Sequence, residues 1–254
     1  MIIIIYLLYI ILGIIQGITE PIPISSSGHL FIFKKLLNIN INSLEIEIFS
    51  NFGSFLAISI FYIKDIKNIV FDLLKFEFNL ISKLIIGIIP IGILTLLFYE
   101  KLENLNNIKF ISISLFITSI ILFFSHKLVK INTIKEITYL DSFYIGIFQS
   151  LAIFPGISRS GITTFGGLIN KKRFDESLKF SFLLYLPVSL LSLIYLLLKT
   201  TITLELSLIF ILIITSFIFT YLSLKLFFKL VRNNKLIWFS LYCLILGILI
   251  ILLS

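Results

Sequence analysis

Cysteine is nearly absent from this chain: Cys243 is the only one in 254 residues. No disulfide framework can staple it, which excludes a small secreted scaffold. Charge is scarce as well, at 13% of residues, where soluble domains carry about 25%. Apolar side chains fill the space instead. A hydrophobic fraction of 59% and a mean hydropathy of +1.13 lie outside the range of an ordinary soluble domain, and the wealth of Ile, Leu and Phe also excludes disorder. The composition is that of a membrane protein. Its 21 basic residues against 13 acidic ones leave a formal charge of +8, an excess that in a membrane protein belongs to cytoplasmic loops, so no nucleic-acid partner is expected. Met1–Leu12 has no basic n-region and no small-x-small cleavage site follows it, so it is read as a membrane element and not as a cleavable signal.

A hydrocarbon core about 30 Å thick needs roughly 20 apolar residues as helix. Six runs meet that demand: 45–63, 80–99, 109–126, 177–198, 203–224 and 236–253. Polar links such as Lys64–Lys67, Glu100–Asn107, Lys127–Glu136 and Arg232–Lys235 divide them. Ile2–Ile15 and Phe143–Phe154 are too short to cross, and each runs into a Pro/Ser/Gly cluster. Both are read as first arms of re-entrant hairpins, with Gly28–Leu37 and Gly161–Ile169 as the returning arms. The expected fold is an all-α polytopic membrane protein, with six transmembrane helices plus two re-entrant helical hairpins in one domain over 1–254. On that path the links 64–83, 127–137, 171–179 and 225–235 share a side and hold fifteen of the 21 basic residues. The positive-inside rule then places them in the cytoplasm and both termini outside.

Gly13–Gly28 and Gly146–Gly161 align without a gap at a constant offset of 133, with seven of sixteen positions identical, among them Gln16/Gln149, Ser25/Ser158, Ser27/Ser160 and Gly28/Gly161. Three spans follow each hairpin, so the second copy enters from the opposite face. The pattern is that of two inverted repeats, about 1–130 and 131–254, an architecture whose broken helices meet near the midplane and hold ions or anions. The copies diverge at the tips: Glu20 faces Ile153, Ser26 faces Arg159 and His29 faces Ile162. Ionisable groups at that depth cost several kcal/mol unless paired or ligand-bound, which makes function the default reading for Glu20 and Arg159.

Gln16 and Glu20 are spaced i, i+4 on one face of the first arm, just before Pro21 and Pro23 end it. A carboxylate at a helix C-terminus is electrostatically unfavourable unless a cation joins it. That cation is either a bound Mg²⁺ or Ca²⁺, completed by substrate phosphate, or the Arg159 side chain, and the two readings coexist. Ser25-Ser26-Ser27-Gly28 and Ser158-Arg159-Ser160-Gly161 each open a returning arm, where hydroxyls and free N–H groups suit phosphate. The Arg159 fork adds donors, and two such starts fit a diphosphate. His29, three residues after Ser26, is the expected proton donor or acceptor. The nucleophile stays open between Ser26, His29 and water. His126 and Trp238 read as interfacial, and the scattered tyrosines as core and belt residues.

The string Gln16-Gly-Ile-Thr-Glu20-Pro-Ile-Pro23-Ile-Ser25-Ser-Ser-Gly-His29 resembles the (E/Q)xxxE and P-x-S-S-[ST]-G-H segment of bacterial undecaprenyl-diphosphate phosphatases of the bacitracin-resistance type. Pro155-Gly-Ile-Ser158-Arg-Ser-Gly-Ile-Thr163 is similar to their PGxSRSGxT motif. The resemblance implies a multi-pass enzyme of the bacterial plasma membrane, dependent on a divalent cation. It would hydrolyse the C55 isoprenyl diphosphate to the monophosphate carrier of peptidoglycan synthesis, from a site open to the periplasmic or extracellular side. Bacitracin enters indirectly, by sequestering the diphosphate. Carried over by position, Gln16 and Glu20 are metal ligands, Glu20, Ser26, His29 and Arg159 are catalytic, and Ser25, Ser27, Gly28, Ser158, Ser160, Gly161 and Thr163 bind substrate. The alternative is an isoprenyl-phosphate flippase or transporter without hydrolysis, since broken helices in inverted repeats are also transporter architecture. The oligomeric state is left open, a homodimer included.

Overall fold

The computed structural model describes residues 2–37, 43–102, 107–129, 133–134, 136–199, 201–231 and 235–252. The middles of three expected links lie outside them, and so do Lys130, Lys135 and Arg232 of the basic tally. Among the described residues the protein is helical throughout, with eleven α-helices and one 3₁₀ turn. A first hairpin is formed by α1 (Ile2–Thr19) and α2 (Ser26–Leu36). Then follow α3 (Ser43–Phe61), α4 (Ile63–Leu74), α5 (Asn79–Leu102) and α6 (Ile108–Val129). The second hairpin consists of α7 (Tyr139–Ser150), the 3₁₀ turn Leu151–Ile153 and α8 (Arg159–Ile169), ahead of α9 (Phe174–Lys199), α10 (Leu206–Val231) and α11 (Leu236–Leu252).

Five helices, α3, α5, α6, α9 and α10, are long and apolar enough to cross a membrane. The chain is a polytopic membrane protein. The expected sixth span, 236–253, appears as α11 with 17 residues, a shorter apolar helix. The first arm, expected to stop at Ile15, continues to Thr19 because no proline interrupts it before Pro21. The stretch 64–83, expected as a link, contains α4. In α4, Ile63, Ile66, Ile69, Val70, Leu73 and Leu74 recur at helical period along one side, with Lys64, Asn68 and Asp72 on the other and Lys67 and Phe71 at the boundary. None of its residues is buried, as expected of a helix lying along the bilayer surface with its apolar face toward lipid.

Small residues and hydroxyls join the long helices, because lipid gives no hydrophobic drive to bring apolar helices together. α10 runs along α1 and α3, α5 along α7, and α6 along α11. A Cβ added to Gly53 would stand 2.4 Å from the Ile213 carbonyl oxygen, and one added to Gly146 2.6 Å from that of Gly87. Both crossings therefore require glycine. Ser54 of α3 bonds Ser216 and Thr220 of α10 at 3.0 and 2.8 Å, and Ser112 of α6 donates to the Gly247 carbonyl of α11 at 2.5 Å. The opposite side of α10 exposes Ile214, Ile218, Leu222 and Leu226, four apolar residues at i, i+4 spacing that form a lipid-facing stripe.

Ion pairs and caps fix the two poles. At one, Glu45 of α3 accepts from the Thr203 hydroxyl at 2.7 Å and the Leu204 N–H at 3.0 Å, and Lys34 of α2 meets Glu47 at 3.3 Å. At the other, Lys172 pairs with Asp141 at 2.6 Å, and Lys179 of α9 pairs with Asp65 of α4. The backbone bridge of Ile134 with Lys172 ties the approach to α7 to the α8–α9 turn. The base of each hairpin is thus anchored while its tip points into the bundle.

Candidate active site

Each tip is a broken helix. In the first, the Glu20 N–H closes the last turn on the Gln16 carbonyl at 2.9 Å, and the two prolines then carry the chain to Ser25. The Ser25 side chain caps α2 by accepting from Gly28 N at 3.2 Å, and the Ser158 side chain caps α8 by accepting from Gly161 N at the same 3.2 Å. The backbones differ: Ser158 is extended, whereas Ser25 sits at φ 72° and ψ 92°, a region that costs a non-glycine residue about 1–3 kcal/mol.

The tips interlock. Gly156 adopts φ +91° and donates its N–H to Ser27 Oγ at 3.3 Å, which joins the second tip to the first. Thr118 of α6 holds the same loop from behind, accepting from Ser158 N at 3.1 Å and donating to the Gly156 carbonyl at 3.2 Å. A Cβ at Gly28 would stand 3.4 Å from Gly156 Cα, and one at Gly161 3.3 Å from Pro23 Cβ.

Where the tips meet, Arg159 Nη2 pairs with Glu20 Oε1, both side chains being largely buried. The other carboxylate oxygen of Glu20 accepts from Ser26 Oγ at 2.5 Å and from Gln16 Nε2 at 3.0 Å. Gln16 Nε2 also reaches Asn51 Oδ1 on α3 at 2.7 Å. The Arg159 guanidinium lies over the Tyr185 ring of α9 at 3.9 Å, and the Tyr185 hydroxyl donates to the Asn51 carbonyl at 2.8 Å. Among the described residues, two buried atoms of this cluster have no hydrogen-bond partner, Arg159 Nη1 and Gln16 Oε1. One is a cationic donor suited to an anion and the other an acceptor suited to a cation.

The other expected site residues divide. Ser25, Ser26, Ser27, Gly28, Ser158, Arg159 and Gly161 are all at the tips. Ser160 stands beside Ser158, Oγ to Oγ 3.5 Å. Thr163 turns toward α9, where its hydroxyl donates to the Arg159 carbonyl at 2.7 Å and meets Ser181. His29 is buried, and its ring bonds the Ser25 carbonyl and the Tyr242 hydroxyl, each at 2.7 Å. Among the described residues no hydrogen bond links His29 to Glu20, Ser26 or Arg159. No three His, Cys, Asp or Glu side chains gather as metal ligands among the described residues. A hard cation held by oxygens fits the Glu20 carboxylate with Gln16 Oε1 only if a ligand supplies the remaining oxygens, as phosphates do for Mg²⁺. Sequence reasoning missed Asn51, Thr118, Tyr185 and Tyr242. Asn51 alone left a signal, an amide inside an apolar run.

The family model described as "Bacitracin resistance protein BacA" matches residues 9–249, a range that takes in both tips. This chain belongs to the BacA family. Curated BacA relatives include an "Undecaprenyl-diphosphatase" of Acholeplasma laidlawii, 44% identical over 94% of this chain and 94% of that one. Another, of Thermosipho africanus, is 42% identical over 94% of this chain and 97% of its own length. A third, of Oceanobacillus iheyensis, is 35% identical over 96% of this chain and 94% of its own.

Proposed function

We propose that this BacA-family protein is an undecaprenyl-diphosphatase, hydrolysing the lipid diphosphate to undecaprenyl phosphate and inorganic phosphate and so renewing the carrier for peptidoglycan synthesis. One observation carries the reading: a buried Arg159–Glu20–Ser26 cluster at the junction of two serine-capped helix starts, with Arg159 Nη1 unpartnered. Two N-terminal helix ends and a guanidinium make a diphosphate cradle. The names of the relatives supply the substrate.

Ser26 is the nucleophile this geometry favours, because its hydroxyl already donates to the Glu20 carboxylate. Glu20 takes the proton as Oγ bonds the terminal phosphorus and the anhydride P–O bond breaks, leaving the lipid monophosphate. Water then cleaves the seryl phosphate to release inorganic phosphate. Arg159 stabilises the charge that builds on the transferring group. A divalent cation, Mg²⁺ or Ca²⁺, would be held by Glu20, Gln16 Oε1 and substrate oxygens, and when bound it neutralises phosphate charge.

The protein in this reading sits in the bacterial plasma membrane with six crossings, α11 being the sixth, and two re-entrant hairpins. Inverted repeats are supported by equivalent contacts: at the offset of 133, Gly28 against Gly156 maps onto Gly161 against Pro23. The α1–α10 packing likewise maps onto α7–α5. With the basic links cytoplasmic, the mouth of the site is external, and bacitracin, which takes up the diphosphate outside, competes for the substrate. Purified protein supplied with undecaprenyl diphosphate should release phosphate, lose that activity in chelator and regain it with Mg²⁺. A seryl phosphate on Ser26 should be trapped during turnover. A flippase would release none.

A further inference from the structure

Trp238 and Tyr242 lie one turn apart on α11; from sequence Trp238 reads as interfacial and the tyrosines as core and belt residues. Trp238 is in the first turn of the helix and exposed. Tyr242 is six residues into α11, about 9 Å along its axis. One side of its ring faces outward while its hydroxyl turns inward, 2.7 Å from His29 Nε2, and the two rings lie 7° from parallel. The opposite ring nitrogen, Nδ1, stands 2.7 Å from the Ser25 carbonyl oxygen. A carbonyl only accepts, so Nδ1 carries the hydrogen and Nε2 presents the lone pair, to which the tyrosine hydroxyl donates.

We infer that Tyr242 is a positioning residue for His29, fixing which nitrogen is basic and where it points. The inference rests on the sequence expectation that His29 donates or accepts a proton in the hydrolysis, a role separate from the Ser26-to-Glu20 transfer proposed above. When Nε2 takes up a proton, the Tyr242 oxygen changes from donor to acceptor of the new Nε2–H. The imidazolium is then held between two oxygens, Tyr242 Oη and the Ser25 carbonyl. The same carbonyl also accepts the His29 backbone N–H at 3.2 Å, the first-turn bond of α2. The hydroxyl comes from the second half of the chain and the imidazole from the first, so this contact, like Arg159–Glu20, spans both halves.

Tyr242→Phe keeps the ring, its stacking and its outward face and removes only the hydroxyl. It should lower kcat about tenfold, as expected for loss of a hydrogen bond to a group that becomes charged, with KM and thermal unfolding unchanged. Tyr242→Leu should lose no more activity than Tyr242→Phe. Nitrogen-15 spectra of the His29 ring should show a hydrogen-bonded Nε2 in the parent and a free one in Tyr242→Phe. A normal kcat in Tyr242→Phe, or an unchanged Nε2 signal, overturns the inference. So does a fall in unfolding temperature that accounts for the lost activity. His29→Ala tests the underlying reading separately: normal turnover there removes the proton role of His29, whereas an inactive His29→Ala beside an unaffected Tyr242→Phe defeats the Tyr242 role alone.

Discussion

Arg159 is held in ways a lysine cannot copy. One nitrogen of its fork is on Glu20, the plane lies over Tyr185 at 3.9 Å, and Nη1 is left for a ligand. Arg159→Lys keeps the charge but loses the stack and the second donor, so kcat should fall about a hundredfold or more. Near-parental turnover by that variant would show that the guanidinium does not clamp phosphate. Gly156 is another position without latitude. At φ +91° a methyl group is strained, and it would also meet Ser114 Cβ at 2.7 Å. Gly156→Ala should therefore lower stability by about 2–4 kcal/mol, read as a drop in unfolding temperature in detergent. Glu20, Ser26 and Arg159 were legible in the sequence because a repeat set charged and polar residues against unlike partners. Tyr185 and Tyr242 were not, since a single aromatic residue in an apolar span has no spacing to betray it and only packing brings it to the site.

Helix α4 shows how an element escapes a count of spans. Its charges make it look like a link, and its apolar period is too short to cross, yet the stretch is helical and leaves Ile63, Val70, Phe71 and Leu74 exposed. The hairpin arms were legible for the opposite reason, being apolar runs cut short by Pro, Ser and Gly. The close crossings of α7 on α5 and of α3 on α10 were not, because a glycine within an apolar run does not disclose which helix it meets. Gly146→Leu should drive α7 off α5 and cost about 1–3 kcal/mol, seen as poor yield and early unfolding. Gly92, on the same α5, has nothing within 4 Å of its added Cβ. Gly92→Ala should leave activity intact and raise stability by about 0.5–1 kcal/mol. A destabilised Gly92→Ala would mean that this stretch of α5, two residues past Pro90, needs the freedom of glycine.

The path of the whole chain can be read by labelling. Lys34, buried against Glu47, is a poor reporter, but Lys35 and Lys229 are exposed at opposite poles. In a Cys243→Ala background, cysteine at position 35 should react with an impermeant thiol reagent in intact spheroplasts, and cysteine at 229 only after lysis. The reverse pattern would turn the mouth toward the cytoplasm. The repeat supplies the expectation of this topology at the scale of the molecule. The contacts that join the halves were not, because they depend on geometry between residues more than a hundred positions apart. The ion pair between Glu20 and Arg159 has a consequence for turnover. Nη2 is already occupied by an internal anion, so a phosphate that takes both nitrogens of the fork does so by displacing Glu20 from one of them. The returning carboxylate then helps to expel the inorganic phosphate left behind. On the proposed assignment of the site, the resting enzyme carries its own competitive inhibitor, tethered at high local concentration, which would limit how long product lingers there.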